Sequence, residues 1–197
     1  MKRLPFLVAS LVALSASTSA HATDFSFTGN FTNPNDVQTF NFVVGATSNV
    51  TLRTWSYAGG INAANQIIAR GGFDPILALF DSTGALIGQN DDGLGVATDL
   101  SGAAFDTLFS ASLGPGTYTV SVMAFSNFAL GPNFSNGFSG TGSFTDVSGN
   151  PDFNQRDTHW AFDVLNVDAA VINPVPGPST WAMMLIVFGA VGSAMRR

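Results

Sequence analysis

Cysteine is absent from the 197-residue chain. That excludes a disulfide framework, a thiolate metal site and a cysteine nucleophile. Glutamate is absent as well, so all thirteen acidic side chains are aspartates. Histidine occurs twice, at His21 and His159, and lysine once, at Lys2. With so few nitrogen ligands and no thiolate, the usual zinc sites cannot be built. A chain without cross-links must hold itself together by a real hydrophobic core, helped at most by metal ions.

Positive charge is scarce and sits mainly at the ends. Lys2 and Arg3 open the chain, and Arg196 and Arg197 close it. From Thr23 to Val175 there are three arginines (Arg53, Arg70 and Arg156) against thirteen aspartates, a net charge of −10. Such a surface repels phosphate backbones and anionic headgroups, so nucleic acid is excluded as a partner. It attracts divalent cations.

Long apolar runs are missing too, apart from two short ones at the termini. Met1-Lys2-Arg3 precedes an apolar stretch from Leu4 to Leu14, then small residues ending in Ala20-His21-Ala22. This is the order of a secretory signal peptide, with signal peptidase expected to cut after Ala22 or, nearby, after Ala20. At the other end, Pro176 and Pro178 flank Gly177 and keep the chain extended. Ser179 or Thr180 can cap a following helix. Trp181 to Met195 is then free of charge, and as a helix it reaches roughly 22 Å at ~1.5 Å per residue. A hydrocarbon layer is ~30 Å thick, so this is a short, tilted or bilayer-thinning span. Trp181 suits one interface and the terminal arginines the cytoplasmic one, which puts the domain outside.

The segment Val175-Pro176-Gly177-Pro178, followed by Trp181-Ala182, an apolar helix and Arg196-Arg197, resembles the PEP-CTERM sorting signal. The resemblance implies recognition by an exosortase-type enzyme, transient membrane insertion through the C-terminal helix and delivery to the cell surface, outer membrane or extracellular matrix. It also implies a setting rich in exopolysaccharide, such as a biofilm. Gly177 stands where the family has glutamate, which leaves open an inner-membrane-tethered precursor.

The middle of the chain reads as strands. Phe40, Phe42 and Val44 alternate with Asn41 and Val43 after the turn-prone Asn33-Pro34-Asn35-Asp36. Val50–Tyr57, Ile76–Phe80, Leu86–Gln89, Thr117–Val122 and Trp160–Val164 follow the same logic, separated by Asp81-Ser82-Thr83-Gly84 and Gly114-Pro115-Gly116 turns. Ile61 to Arg70 alone hints at helical spacing. The expected fold is all-β, an antiparallel β-sandwich of jelly-roll type, flanked by an N-terminal signal helix and a short C-terminal transmembrane helix. The domains are then residues 1–22 (signal peptide), 23–170 (β-sandwich), 171–180 (linker and Pro-x-Pro motif) and 181–197 (membrane helix and basic tail).

Phe73-Asp74-Pro75 through Gly84, Asn90-Asp91-Asp92-Gly93 and Gly116-Thr117-Tyr118-Thr119-Val120 are similar to the bacterial pre-peptidase C-terminal domain. That resemblance implies a β-sandwich with an accessory or binding role and no catalysis of its own.

The sharpest cluster of chemistry is Asp74, Asp81, Asn90, Asp91 and Asp92. A hairpin over Ile76–Gln89 would bring Asp74 back to Asn90-Asp91-Asp92 at one sheet edge. Oxygen ligands of this kind suit Ca²⁺, although the same residues also make ordinary turns without a metal. Adjacent carboxylates such as Asp91-Asp92 point to opposite strand faces and make a poor glycosidase pair. His159 has no Gly-x-Ser-x-Gly elbow to serve and reads as structural. The stretch Asn127–Asn154 is loop-like, punctuated by Phe128, Phe134, Phe138, Phe144 and Phe153, which are expected to plug into a core. Function is therefore expected to be binding or structural at the cell surface, with extracellular polysaccharide or surface proteins as partners and no enzyme activity. A calcium-dependent adhesion module and a secreted hydrolase without a motif are the alternatives.

Overall fold

The computed structural model describes residues 22–145 and 156–173. Ala20, Phe153 and the motif residues Val175, Pro176, Gly177, Pro178, Trp181, Ala182, Arg196 and Arg197 lie outside them. Among the described residues no helix is long and apolar enough to cross a membrane.

The described chain is all-β, with every strand pairing antiparallel. Its strands are β1 (Thr23–Asn30), β2 (Val37–Val44), β3 (Ser48–Thr54), β4 (Gly60–Ile61), β5 (Ile67–Ile68), β6 (Pro75–Phe80), β7 (Leu86–Asn90), β8 (Leu108–Leu113), β9 (Gly116–Ala124), β10 (His159–Val167) and β11 (Ala169–Ile172). One sheet runs β1-β10-β3-β8, the other β11-β2-β9-β6-β7, and β4-β5 is a small separate hairpin.

Period-two alternation explains the layering. On β2, Phe40, Phe42 and Val44 are buried, while Thr39, Asn41 and Val43 face outward. The buried rows of both sheets meet in one interior, where Phe40 touches Phe27, Trp160 and Phe162 at ring distances of 4.8, 5.6 and 4.9 Å. Each fully buried phenylalanine of this kind contributes about 1.5–3 kcal/mol.

Strand β6 is buried along its whole length. Leu77 and Leu79 enter the main core, and Ile76, Ala78 and Phe80 enter a second one on the outer face of the sheet. Phe125, Phe128 and Phe138, from the segment after β9, cover that outer face, and Phe144 reaches the main core. Phe128, Phe138 and Phe144 thus pack against cores as expected, whereas Phe134 stays 38% exposed and Phe153 lies outside the described residues. A strand buried on both faces needs an unbroken apolar run, as Ile76 to Phe80 provides.

Two expectations need correction. Ile61 to Arg70 forms no helix: it is the β4-β5 hairpin, closed by bonds from Asn62 N to the Gln66 carbonyl (3.1 Å) and from Asn65 N to the Asn62 carbonyl (3.0 Å). Asn65 sits at φ 60°, a conformation that asparagine tolerates and a helix forbids. The strand expected to reach Tyr57 ends at Thr54, because the next residues turn away to bond two buried aspartates. Trp55 Nε1 donates to Asp163 (2.8 Å), and the Tyr57 and Ala58 amides donate to Asp106 (3.1 and 2.8 Å). At the far end, β11 runs to Ile172, and the Asn173 amide still bonds the Thr39 carbonyl at 2.9 Å.

Candidate metal centre

The β6–β7 hairpin sets the geometry. Its register pairs Leu77 with Asn90 and Ala78 with Gln89, so the residues before β6 meet those after β7 at one end of the sheet. Asp74, Asp91 and Asp92 converge there, each offering a carboxylate oxygen within 4.8 Å of the others. Two oxygens bound to one Ca²⁺ at about 2.4 Å each can be at most about 4.8 Å apart. The three carboxylates thus lie within the outer limit for oxygens that share one ion.

The surroundings hold these groups in place. Asp74 is buried and its carbonyl accepts from the Phe125 amide at 2.8 Å. Asn90 Nδ2 donates to the Asp92 carbonyl at 3.4 Å, a long bond that bends the chain after β7. Gly93 then passes so close to β8 that a Cβ there would stand 2.6 Å from Leu108 Cβ, and its amide donates to the Asp106 carbonyl at 2.9 Å. Only glycine lets the chain leave the cluster along this path.

The electrostatics favour a cation. Burial, with the neighbouring Asp92 charge adding to it, pushes the Asp91 carboxyl up to about 6. Burial also raises Asp92. The Asn90 Oδ1 and Asp91 Oδ1 atoms are shut off from solvent without a hydrogen-bond donor. Acceptors left in that state are costly unless a cation or ordered water reaches them. The donor set is all oxygen, which suits a hard ion such as Ca²⁺ and not zinc or copper.

Asp81 does not join the group. It lies at the other end of β6, where its Oδ1 accepts from the Thr83 amide (2.8 Å), the Thr83 hydroxyl (2.7 Å) and the Ala85 amide (2.9 Å). These bonds, the Thr83 hydroxyl first, hold its carboxyl below the usual aspartate range. A hairpin returns the chain to its own start, so the turn between its strands is the farthest point from the cluster.

His159 also has its ring occupied: Nδ1 pairs with Asp157, and Nε2 lies 3.1 Å from the Ala69 carbonyl. No serine hydroxyl bonds either nitrogen among the described residues.

Three buried aspartates escaped sequence reasoning. Asp99 pairs with Arg156 at 2.8 Å, Asp106 takes the Tyr57 and Ala58 amides, and Asp163 takes Trp55, the Ser26 hydroxyl (2.6 Å) and the Ala63 amide (2.9 Å). Their partners lie tens of residues away, which a local pattern cannot reveal. No protein-family model and no curated protein matches the chain.

Proposed function

We propose that this chain is an exported, non-catalytic binding module of the cell surface or extracellular matrix that holds one Ca²⁺ at Asp74, Asp91 and Asp92. The observation that carries the calcium part is the convergence of three carboxylates from two separate stretches of chain, all within 4.8 Å. The stranded acceptors of Asn90 and Asp91 support it, since both can complete an oxygen shell. Ca²⁺ would act here as a brace. It would pin the end of β7 to the start of β6 and neutralise charges that otherwise repel each other.

The export part rests on the two terminal segments and their resemblance to a signal peptide and a PEP-CTERM tail. In this reading signal peptidase and an exosortase-type enzyme process the ends, and the folded part is a jelly-roll-like sandwich between two separate helices. The adhesion partner is an extracellular polysaccharide.

Melting the purified chain with Ca²⁺ and with a chelator tests the ion. A filled site stabilises by mass action, about 2.7 kcal/mol at a hundredfold excess over Kd, so Ca²⁺ should raise Tm by several degrees. Equal melting in both conditions would remove the calcium reading. Mass spectrometry of the chain recovered from cells and medium tests export. A start at Thr23 or His21 supports it, and a cytoplasmic species with both termini intact refutes it.

A further inference from the structure

The outer face of the five-stranded sheet is covered only in part. The segment from Phe125 to Phe138 hides Ile76, Ala78 and Met123, while the β2 side of the face stays open. At the border runs a groove of about 310 Å³, near the lower end of the ~300–1,000 Å³ typical of small-molecule sites.

Its floor follows from strand register. Asn41 on β2 lies opposite Thr119 on β9, and Thr119 lies opposite Phe80 on β6. Outward-facing positions thus place an amide and a hydroxyl side by side, next to the buried ring of Phe80. The turn Asp81–Gly84 and the ring of Phe134 form one wall, and Asn173 stands on the other side. Phe134 is 38% exposed and meets Phe80 edge-on at 5.2 Å, so its ring is anchored and still accessible.

Both walls are fixed before any ligand arrives. The Phe134 amide bonds the Gly84 carbonyl at 2.8 Å, and the Leu86 amide bonds the Pro132 carbonyl at 2.8 Å. Asn173 Nδ2 donates to Thr39 Oγ1 at 3.3 Å. On the floor the Thr119 hydroxyl donates to Asn41 Oδ1 at 3.0 Å, which fixes the amide and leaves Asn41 Nδ2 free to donate.

This lining sorts ligands by chemistry. It mixes neutral donors and acceptors with one accessible ring and contains no basic side chain. Its single carboxylate, Asp81, is held ionised by its own turn. Phosphate, sulfate and uronate groups would meet a negative charge and no counter-charge. A neutral pyranose offers hydroxyls that both donate and accept, plus a C–H face that stacks on an aromatic ring. We infer that this groove is a binding site for a neutral saccharide, with Phe134 as the stacking ring and Asn41, Thr119 and Asp81 taking its hydroxyls. The inference rests on the binding-module reading and gives the polysaccharide partner a place and a chemistry. It is independent of the cation, because Asp74 and Asp81 lie at opposite ends of β6.

The test is calorimetric titration of the full chain with four neutral probes (cellotetraose, maltotetraose, mannotetraose and tetra-N-acetylchitotetraose) and with tetragalacturonate as the anionic control. At least one neutral probe should bind and the control should not. Phe134→Ala and Asn41→Ala should each weaken that binding about tenfold or more, with Tm close to that of the parent. Asn41→Ala keeps the test valid if Phe134→Ala fails to fold, because Asn41 is only partly buried and its loss removes a single side-chain hydrogen bond, the one from Thr119. No heat with any neutral probe overturns the groove, as does binding that both variants leave unchanged. Neither result touches the chelator and export tests, so the two failures are distinguishable.

Discussion

Replacing Arg156 by methionine should be among the most damaging single changes in the described chain. Its guanidinium Nη1 lies 2.8 Å from Asp99 Oδ2, and the two side chains are only 3% and 0% exposed. Nη2 donates to the Tyr57 carbonyl at 3.2 Å, and the guanidinium carbon stacks 3.5 Å above the Tyr57 ring. One residue therefore ties together the loop after β7, the excursion after β3 and the chain re-entering before β10. Methionine keeps much of the volume and leaves the Asp99 charge buried without its partner. Breaking one side of a buried pair costs about 3–5 kcal/mol. For a domain of roughly this size each kcal/mol is worth ~2–4 °C, so Tm should drop by roughly 6–20 °C. Denaturant melts of parent, Arg156→Met, Asp99→Leu and the double variant complete a double-mutant cycle. The double variant should recover much of the loss, since an apolar pair of similar volume often replaces a buried ion pair at little cost. A single-variant loss below about 1 kcal/mol, the range of exposed pairs, would mean that the Arg156–Asp99 pair does not hold these three segments together.

Three further outcomes follow from other parts of the fold. Gly29→Ala would drive a Cβ into the Trp160 ring, and overpacking of this kind costs about 1–3 kcal/mol, readable as a lower denaturant midpoint with an unchanged slope. Asp163→Ala strips acceptors from Trp55 Nε1, the Ser26 hydroxyl and the Ala63 amide together. It should destabilise by about 1–3 kcal/mol or more and shift tryptophan emission to the red as Trp55 loses its anchor. In metal-stripped protein, Asp91, with its carboxyl near 6, binds its proton more tightly folded than unfolded. Stability should therefore fall as pH rises from about 4 to 6 and then level off, and Asp91→Asn should flatten that slope in pH-resolved melts. An unaltered slope would contradict it.

The residues show why part of this was legible beforehand. Phe40, Phe42 and Val44 declare their strand because one face is buried and the other wet, and Ile76 to Phe80 declares a strand buried on both faces. The convergence of Asp74 with Asp91 and Asp92 followed from the hairpin alone, since antiparallel pairing returns the chain to its start. Asp81 falls outside the cluster for the same geometric reason, being at the turn. Strands β1, β8 and β11 carried too little apolar signal to stand out: Ser110 and Ser112 interrupt β8, and β11 is a four-residue edge strand. Asp99, Asp106 and Asp163 looked like solvated surface charge. What buries them is hydrogen bonding to amides and an arginine far away in sequence, and no local pattern encodes that. The saccharide groove depends on which outward positions of three strands end up side by side, a matter of sheet order.

Equilibrium dialysis of the purified chain against Ca²⁺, with Asp74→Asn, Asp91→Asn and Asp81→Asn variants alongside, reads the proposed ion directly. One ion per chain should bind to the parent, be lost or sharply weakened in the Asp74 and Asp91 variants, and be retained in the Asp81 variant. No bound ion in the parent, or equal binding by all four proteins, would contradict it.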